Sequence, residues 1–244
     1  MDNYLTKQKP EEITDFFFKI TNDFSTSIEK VKTNNSVLDI TNDSRIVVFT
    51  TLREVANSSL LSSVFLKDYL TKKEWWKNNK NFSLPSTELE SYAEARIYSY
   101  GVDLSTNYII LSFTHFENSL RSIVKAIPNS KFPDALEDFW RIRDYLIDYA
   151  AINSDYKNLI KIFQTIRNSN HNGGFHTKDD MTVTYKSQIF TFEKFKPIKF
   201  DLWSTIEFIM TELNQFLFDL VTAPKINRIH FIQHPFGTIN FIKK

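Results

Sequence analysis

Only four glycines, Gly101, Gly173, Gly174 and Gly237, interrupt 244 residues that include 23 Phe, 10 Tyr and 4 Trp. Few backbone positions are conformationally permissive and many large rings must be buried. Such a chain suits long helices, whose faces can carry the aromatic load, better than a turn-rich sandwich. With 42% hydrophobic and 24% charged residues, the length supports a sizeable core in one large domain or two small ones.

The apolar residues recur at three and four positions, as helices require. Ile13, Phe16, Phe17, Ile20 and Phe24 mark a first helix opened by Pro10-Glu11-Glu12. A second stretch runs from about Asp43 to Tyr69, with an interruption expected near Asn57-Ser58-Ser59. From Glu88 to about Ile127, Ile109, Phe113, Phe116, Leu120 and Ile123 form a stripe, with a possible break at Gly101. Ser86 is placed to cap that helix. Pro133 reads as the first turn of the next helix, whose buried side is Phe139, Ile142, Leu146 and Tyr149. Asn153-Ser154-Asp155 then precedes Tyr156, Leu159, Ile160, Phe163 and Ile166, a stripe that Asn172-Gly173-Gly174 stops. Val183, Tyr185, Ile189, Phe190 and Phe192 flank Lys186-Ser187-Gln188 as a β-hairpin at about 181–193. A last helix follows Asp201 and closes at Pro224; the tail from Arg228 reads as a second hairpin or an extended arm.

Charge and composition exclude several classes. Thirty Lys and Arg against 29 Asp and Glu leave a net charge of +1, so any phosphate binding has to be local. The absence of Cys rules out disulfides, thiolate metal sites and cysteine nucleophiles, and suits a reducing, cytoplasmic compartment. Neither a secretory signal after Met1 nor a membrane-spanning run is expected. Walker loops, Gly-rich dinucleotide turns and Gly-x-Ser-x-Gly elbows are missing.

The segment Arg167-Asn168-Ser169-Asn170-His171-Asn172-Gly173-Gly174 concentrates the chemistry. Arg167 and His171 differ by about 40° around a helix, so both rise from one face. Arg167 follows Phe163 by one turn, at the margin of the buried stripe, where an unpaired charge is costly and an anion is wanted. His171 falls in the last turn, where the helix's partial negative charge favours a protonated imidazole. An Arg able to grip a phosphate, a His able to move a proton, and Asn168, Asn170 and Asn172 as neutral donors make a site for phosphodiester chemistry without a metal or cofactor. RNA supplies its own nucleophile, the 2′-hydroxyl. A plain structural reading stands beside this: Arg167 as a structural cation and Asn-Gly-Gly as a helix stop.

Arg, a polar residue and then His at a helix end, within a helical bundle, resembles the HEPN superfamily. Arg-Asn-Ser-x-His-Asn-x-Gly followed by a hairpin is similar to a set of uncharacterised bacterial HEPN-like proteins. They also carry an earlier Phe-Glu-x-x-x-Arg pattern, as in Phe116-Glu117-Asn118-Ser119-Leu120-Arg121. The resemblance spans roughly residues 88–224. It implies a HEPN-like helical bundle that dimerises, pairing two copies of Arg167 and His171 in a shared cleft. It further implies metal-independent RNA cleavage leaving a 2′,3′-cyclic phosphate, in toxin or anti-phage systems with an antitoxin or defence partner. Arg167 is then expected to hold the scissile phosphate, Asn168 to orient it, and His171 to act as acid or base. Asn170, Asn172, Glu117 and Arg121 join as substrate-binding candidates. The gap departs from the family pattern: three residues separate Arg167 from His171 and eight separate it from His176, so His176 is a second candidate. A non-catalytic HEPN-like module that binds nucleotide, RNA or a partner protein is the alternative. On this reading 1–86 is an N-terminal helical extension packed on the main domain, and 87–244 the HEPN-like domain with its hairpin and C-terminal arm.

Other candidates carry less. Glu117 and Arg121, read without the resemblance, are an i, i+4 surface ion pair. Lys72 to Lys80, with Trp75 and Trp76, is either a stacking and phosphate-contact patch or a helix end with one indole docked on the core. His230 and His234 have the spacing of metal helices, but the surrounding Ile and Phe alternation and Pro235 favour an extended strand.

Overall fold

The computed structural model describes residues 10–35, 38, 39, 41–79, 89–198 and 202–234. It is mainly helical with a small two-stranded sheet. Helix α1 (Pro10–Asn34) packs along α2 (Ser44–Phe65), which runs unbroken through Asn57-Ser58-Ser59 and continues as a π-helical turn, Leu66–Leu70. The short α3 (Lys73–Asn78) follows. Trp76 is buried there, its indole N–H donating to the Leu70 carbonyl at 2.6 Å, so this indole is docked and unavailable for stacking. The Ser86 cap, Asp201 and the tail beyond His234 lie outside the described residues.

Helix α4 (Leu89–Ala126) passes through Gly101 without a break and is about 57 Å long at the usual helical rise. It packs on α2, α5 (Phe139–Ala150) and α6 (Tyr156–His171). Helix α7 (Leu202–Thr222) lies on α1, α4 and α6, and the single-turn α8 (Pro224–Asn227) follows. Phe16 and Phe17 of α1 meet Tyr108 of α4 and Trp203 of α7 edge-on, so the N-terminal helices share one core with the rest. Among the described residues no helix is long and apolar enough to cross a membrane.

Pro133 does not open α5. Residues 127–138 form turns, Ala135 adopts a left-handed φ of 51°, and the helix begins only at Phe139. The reason is Arg121: its guanidinium donates to the carbonyls of Ala135 at 2.6 Å and Glu137 at 3.0 Å, while Glu117 holds its other edge at 2.6 Å. The Glu117 and Arg121 side chains are only 24% and 25% exposed, so this is a loop anchor rather than a surface ion pair.

Strands β1 (Met181–Tyr185) and β2 (Gln188–Phe192) pair antiparallel with Val183 opposite Phe190, joined by Lys186-Ser187 with Lys186 at a φ of 50°. The alternation turns Val183, Tyr185, Phe190 and Phe192 inward. Tyr185 donates to Glu212 of α7 at 2.9 Å and Asn158 of α6 donates to Thr184 O at 3.0 Å, which docks the hairpin on both helices.

A buried ion pair ties α2 to the chain's last described segment. Arg45 and Asp43 are fully buried and joined by Nη2 to Oδ2 at 2.6 Å and Nε to Oδ1 at 2.9 Å. The remaining guanidinium donors reach the carbonyls of Ile226, Asn227, Ile229 and His230, and the backbone N–H of Ile232 donates to Asp43. Removing one partner strands the other in a dry interior. Asp43→Ala is therefore expected to cost about 3–5 kcal/mol of stability. Asp148→Ala, which removes the exposed partner of Lys157, should cost less than about 1 kcal/mol. Urea unfolding of the two variants makes the comparison.

The same segment buries His234, whose pKa falls from 6.5 to about 4, first through burial and then through the nearby His115. The unfolded chain thus takes up this proton before the folded one as pH drops. Stability should be full above about pH 6.5, decline as the pH falls toward about 4, and decline less in His234→Phe. Thermal melts across that window measure the difference.

Candidate functional site

Helix α6 has two faces of opposite character. Leu159, Ile160, Phe163 and Ile166 point into the core, while Lys161, Gln164, Thr165, Asn168, His171 and Asn172 recur at three and four positions along the other side. This polar stripe floors a cavity of about 600 Å³. One wall is α5, through Trp140 and Arg143; the other is the chain between α6 and β1, through His176, Thr177 and Asp179.

The helix ends where glycine allows. Gly173 and Gly174 have φ of 68° and 89°, their N–H groups donating to the carbonyls of Asn170 at 3.2 Å and Ser169 at 2.9 Å. This double closure satisfies terminal carbonyls and reverses the chain. His176 is then fixed by backbone bonds in both directions, its N–H to Lys196 O at 3.0 Å and its carbonyl from Phe195 N at 2.6 Å. Its ring is buried against Phe192, with Nε2 3.0 Å from the Asp179 carbonyl. A carbonyl only accepts, so Nε2 carries a proton, and in the neutral ring Nδ1 is then the acceptor.

Arg167 emerges at the margin between the two faces. Its guanidinium carbon lies 5.5 Å from the centre of the Phe113 ring, and Nη1 donates to Asn168 Oδ1 at 3.0 Å. Its Nε is buried without a hydrogen-bond partner, and no carboxylate among the described residues pairs with it. A half-buried guanidinium without a carboxylate partner has the chemistry to take an anion, because leaving such a charge uncompensated is costly.

The structure gathers Arg167, Asn168, His171, Asn172 and His176 on one cavity. His171 is exposed, and Asn172 donates to Thr177 Oγ1 at 3.1 Å, bracing the turn. Asn170 does not line the cavity, nor do Glu117 and Arg121, which act on the loop that presents α5. Sequence reasoning missed Arg143, Trp140 and Lys161. A signal for Arg143 was present: it interrupts the stripe of Phe139, Ile142 and Leu146 just as Arg167 follows Phe163, a cation on a buried face. Lys161 belonged to the polar stripe, whose regular spacing was equally readable.

Fold and site together define a mainly helical protein with a cation-rich cavity at the end of one helix. Comparison with known proteins adds no relative: no family model, no curated protein and no solved structure matches the chain.

Phosphate groups are the natural test of such a cavity. Inorganic pyrophosphate is expected to raise the melting temperature beyond the effect of chloride at equal ionic strength, since a ligand of the folded state stabilises it. Arg167→Ala should remove the increase.

Proposed function

We propose that this protein is a metal-independent endoribonuclease of the HEPN type, acting as a homodimer on RNA. The observation that supports it is the convergence of Arg167, Asn168, His171 and His176 on one cavity, with Arg167 lacking a carboxylate partner among the described residues. Arg167 grips the scissile phosphate and offsets the charge that builds on its oxygens during attack. The 2′-hydroxyl of the preceding ribose is the nucleophile. His176, with its proton held on Nε2, suits the role of base through Nδ1; His171, open to solvent, suits that of the acid that protonates the departing 5′-oxygen. Phosphorus gains the 2′-oxygen and loses the 5′-oxygen, leaving a 2′,3′-cyclic phosphate and a 5′-hydroxyl. A toxin or anti-phage setting, with an antitoxin or defence partner, follows from the resemblance alone, and the cytoplasm is the matching compartment.

The second reading, a non-catalytic module that binds nucleotide or RNA, is favoured by the spacing of the histidines from Arg167, three and eight residues, on either side of the family's usual gap. One experiment separates the two. Total RNA incubated with the purified protein and EDTA should yield fragments ending in cyclic phosphate, with rates at least about a hundredfold lower in Arg167→Ala and His176→Ala. Intact RNA retained by the wild-type protein supports the binding module instead. A strictly monomeric protein at micromolar concentration speaks against a composite dimer site in either reading.

A further inference from the structure

One wall of the cavity is unexplained by the Arg and His pattern. Arg143 sits on the inner face of α5 with only 7% of its surface exposed. It forms an ion pair through Nε with Asp144 Oδ1 at 2.7 Å, and its two terminal amino groups make no hydrogen bond among the described residues, while the residue lines the cavity. The charged lining is otherwise Lys161, Arg167 and Lys178 against Asp179, and that carboxylate is itself engaged by Lys194. A second guanidinium on the α5 wall of the cavity whose floor carries Arg167, with its terminal amino groups making no hydrogen bond among the described residues, matches a second phosphate.

Trp140 lies one helical turn before Arg143 and is 51% exposed. It stands on the ridge between the cavity and a neighbouring groove of about 460 Å³, where Phe132, Tyr145 and Tyr149 lie. In that groove Arg141 is paired with Glu137 and both Lys131 and Arg141 lie over the Phe132 ring, while Asp144 and Asp148 hold Arg143 and Lys157, so it offers ring faces rather than a track for phosphates. A half-exposed indole beside a cation-rich cavity is a stacking surface for a base.

Resting on the ribonuclease reading, we propose that Arg143 and Trp140 form a second nucleotide subsite. Arg143 binds the phosphate next to the one on Arg167, and Trp140 stacks the base of that nucleotide. The wide indole favours a purine there, because stacking strength rises with overlap.

The test uses short fluorescent 2′-O-methyl oligoadenylate and oligouridylate, which lack the attacking hydroxyl and report binding without cleavage. Oligoadenylate should bind the full chain more tightly than oligouridylate by fluorescence anisotropy. Trp140→Ala should weaken oligoadenylate about tenfold and abolish the preference, with Trp140→Phe retaining part of it. Arg143→Ala should weaken both oligonucleotides alike and lower the salt dependence by about one phosphate contact. Arg143→Lys, which keeps the charge, guards against misfolding and should preserve that salt dependence. If RNA is cleaved but the Trp140 and Arg143 variants bind as the wild type does, the subsite is wrong and the ribonuclease reading stands. Equal binding of the two oligonucleotides by the wild type also overturns the stacking role. If neither oligonucleotide binds and RNA stays intact, both readings fall.

Discussion

The contacts among Phe113 and Phe116 of α4, Phe139 of α5, Phe163 of α6 and Phe216 of α7 hold the site half of the molecule together. Phe113 meets Phe139 at 5.3 Å and Phe163 at 5.2 Å between ring centres, and Phe116 meets Phe216 at 5.9 Å, all edge to face. Rings packed this way gain from opposed quadrupoles as well as from buried area. They also set where neighbouring charges can go. Arg167 lies against Phe113, and Arg143 occupies the next turn of the helix that Phe139 anchors, so the cluster positions both guanidinium groups at the rim of one core.

Around that cluster, polar anchors place the parts that periodicity leaves undetermined. Arg121 holds the turns before α5 by gripping the carbonyls of Ala135 and Glu137, just ahead of the helix start at Phe139. Gly173 and Gly174 reverse the chain after α6, and the pairing of His176 with Lys196 and Phe195 returns it over the helix end. Far from the cavity, the Asp43 and Arg45 pair gathers the carbonyls after α7 and pins the C-terminal segment against α2. Each anchor gives backbone groups hydrogen-bond partners within the fold.

Stripes at three-four spacing locate the helices from sequence alone, because burial of one face is a local property of the chain. The alternation around Lys186-Ser187 locates the hairpin for the same reason. Boundaries are less legible. Pro133 reads as a helix start since its ring suits a first turn, yet Arg121 on α4 grips carbonyls fourteen and sixteen residues further along and holds that stretch out of helical geometry. The π-helical turn at Leu66–Leu70 likewise has no signature in the apolar pattern.

By itself the sequence determined the helical class, the hairpin, the glycine stop and the candidacy of Arg167, since each depends on residues close along the chain. Only the tertiary structure decided which residues line the cavity. It brought His176 to the cavity that Arg167 lines, added Trp140 and Arg143 from a different helix, and set Glu117, Arg121 and Asn170 apart from that cavity. The physical reason is that a cavity is made by surfaces distant in sequence. Its members are chosen by how helices pack and where the chain reverses, and spacing along one helix reports only one of its walls.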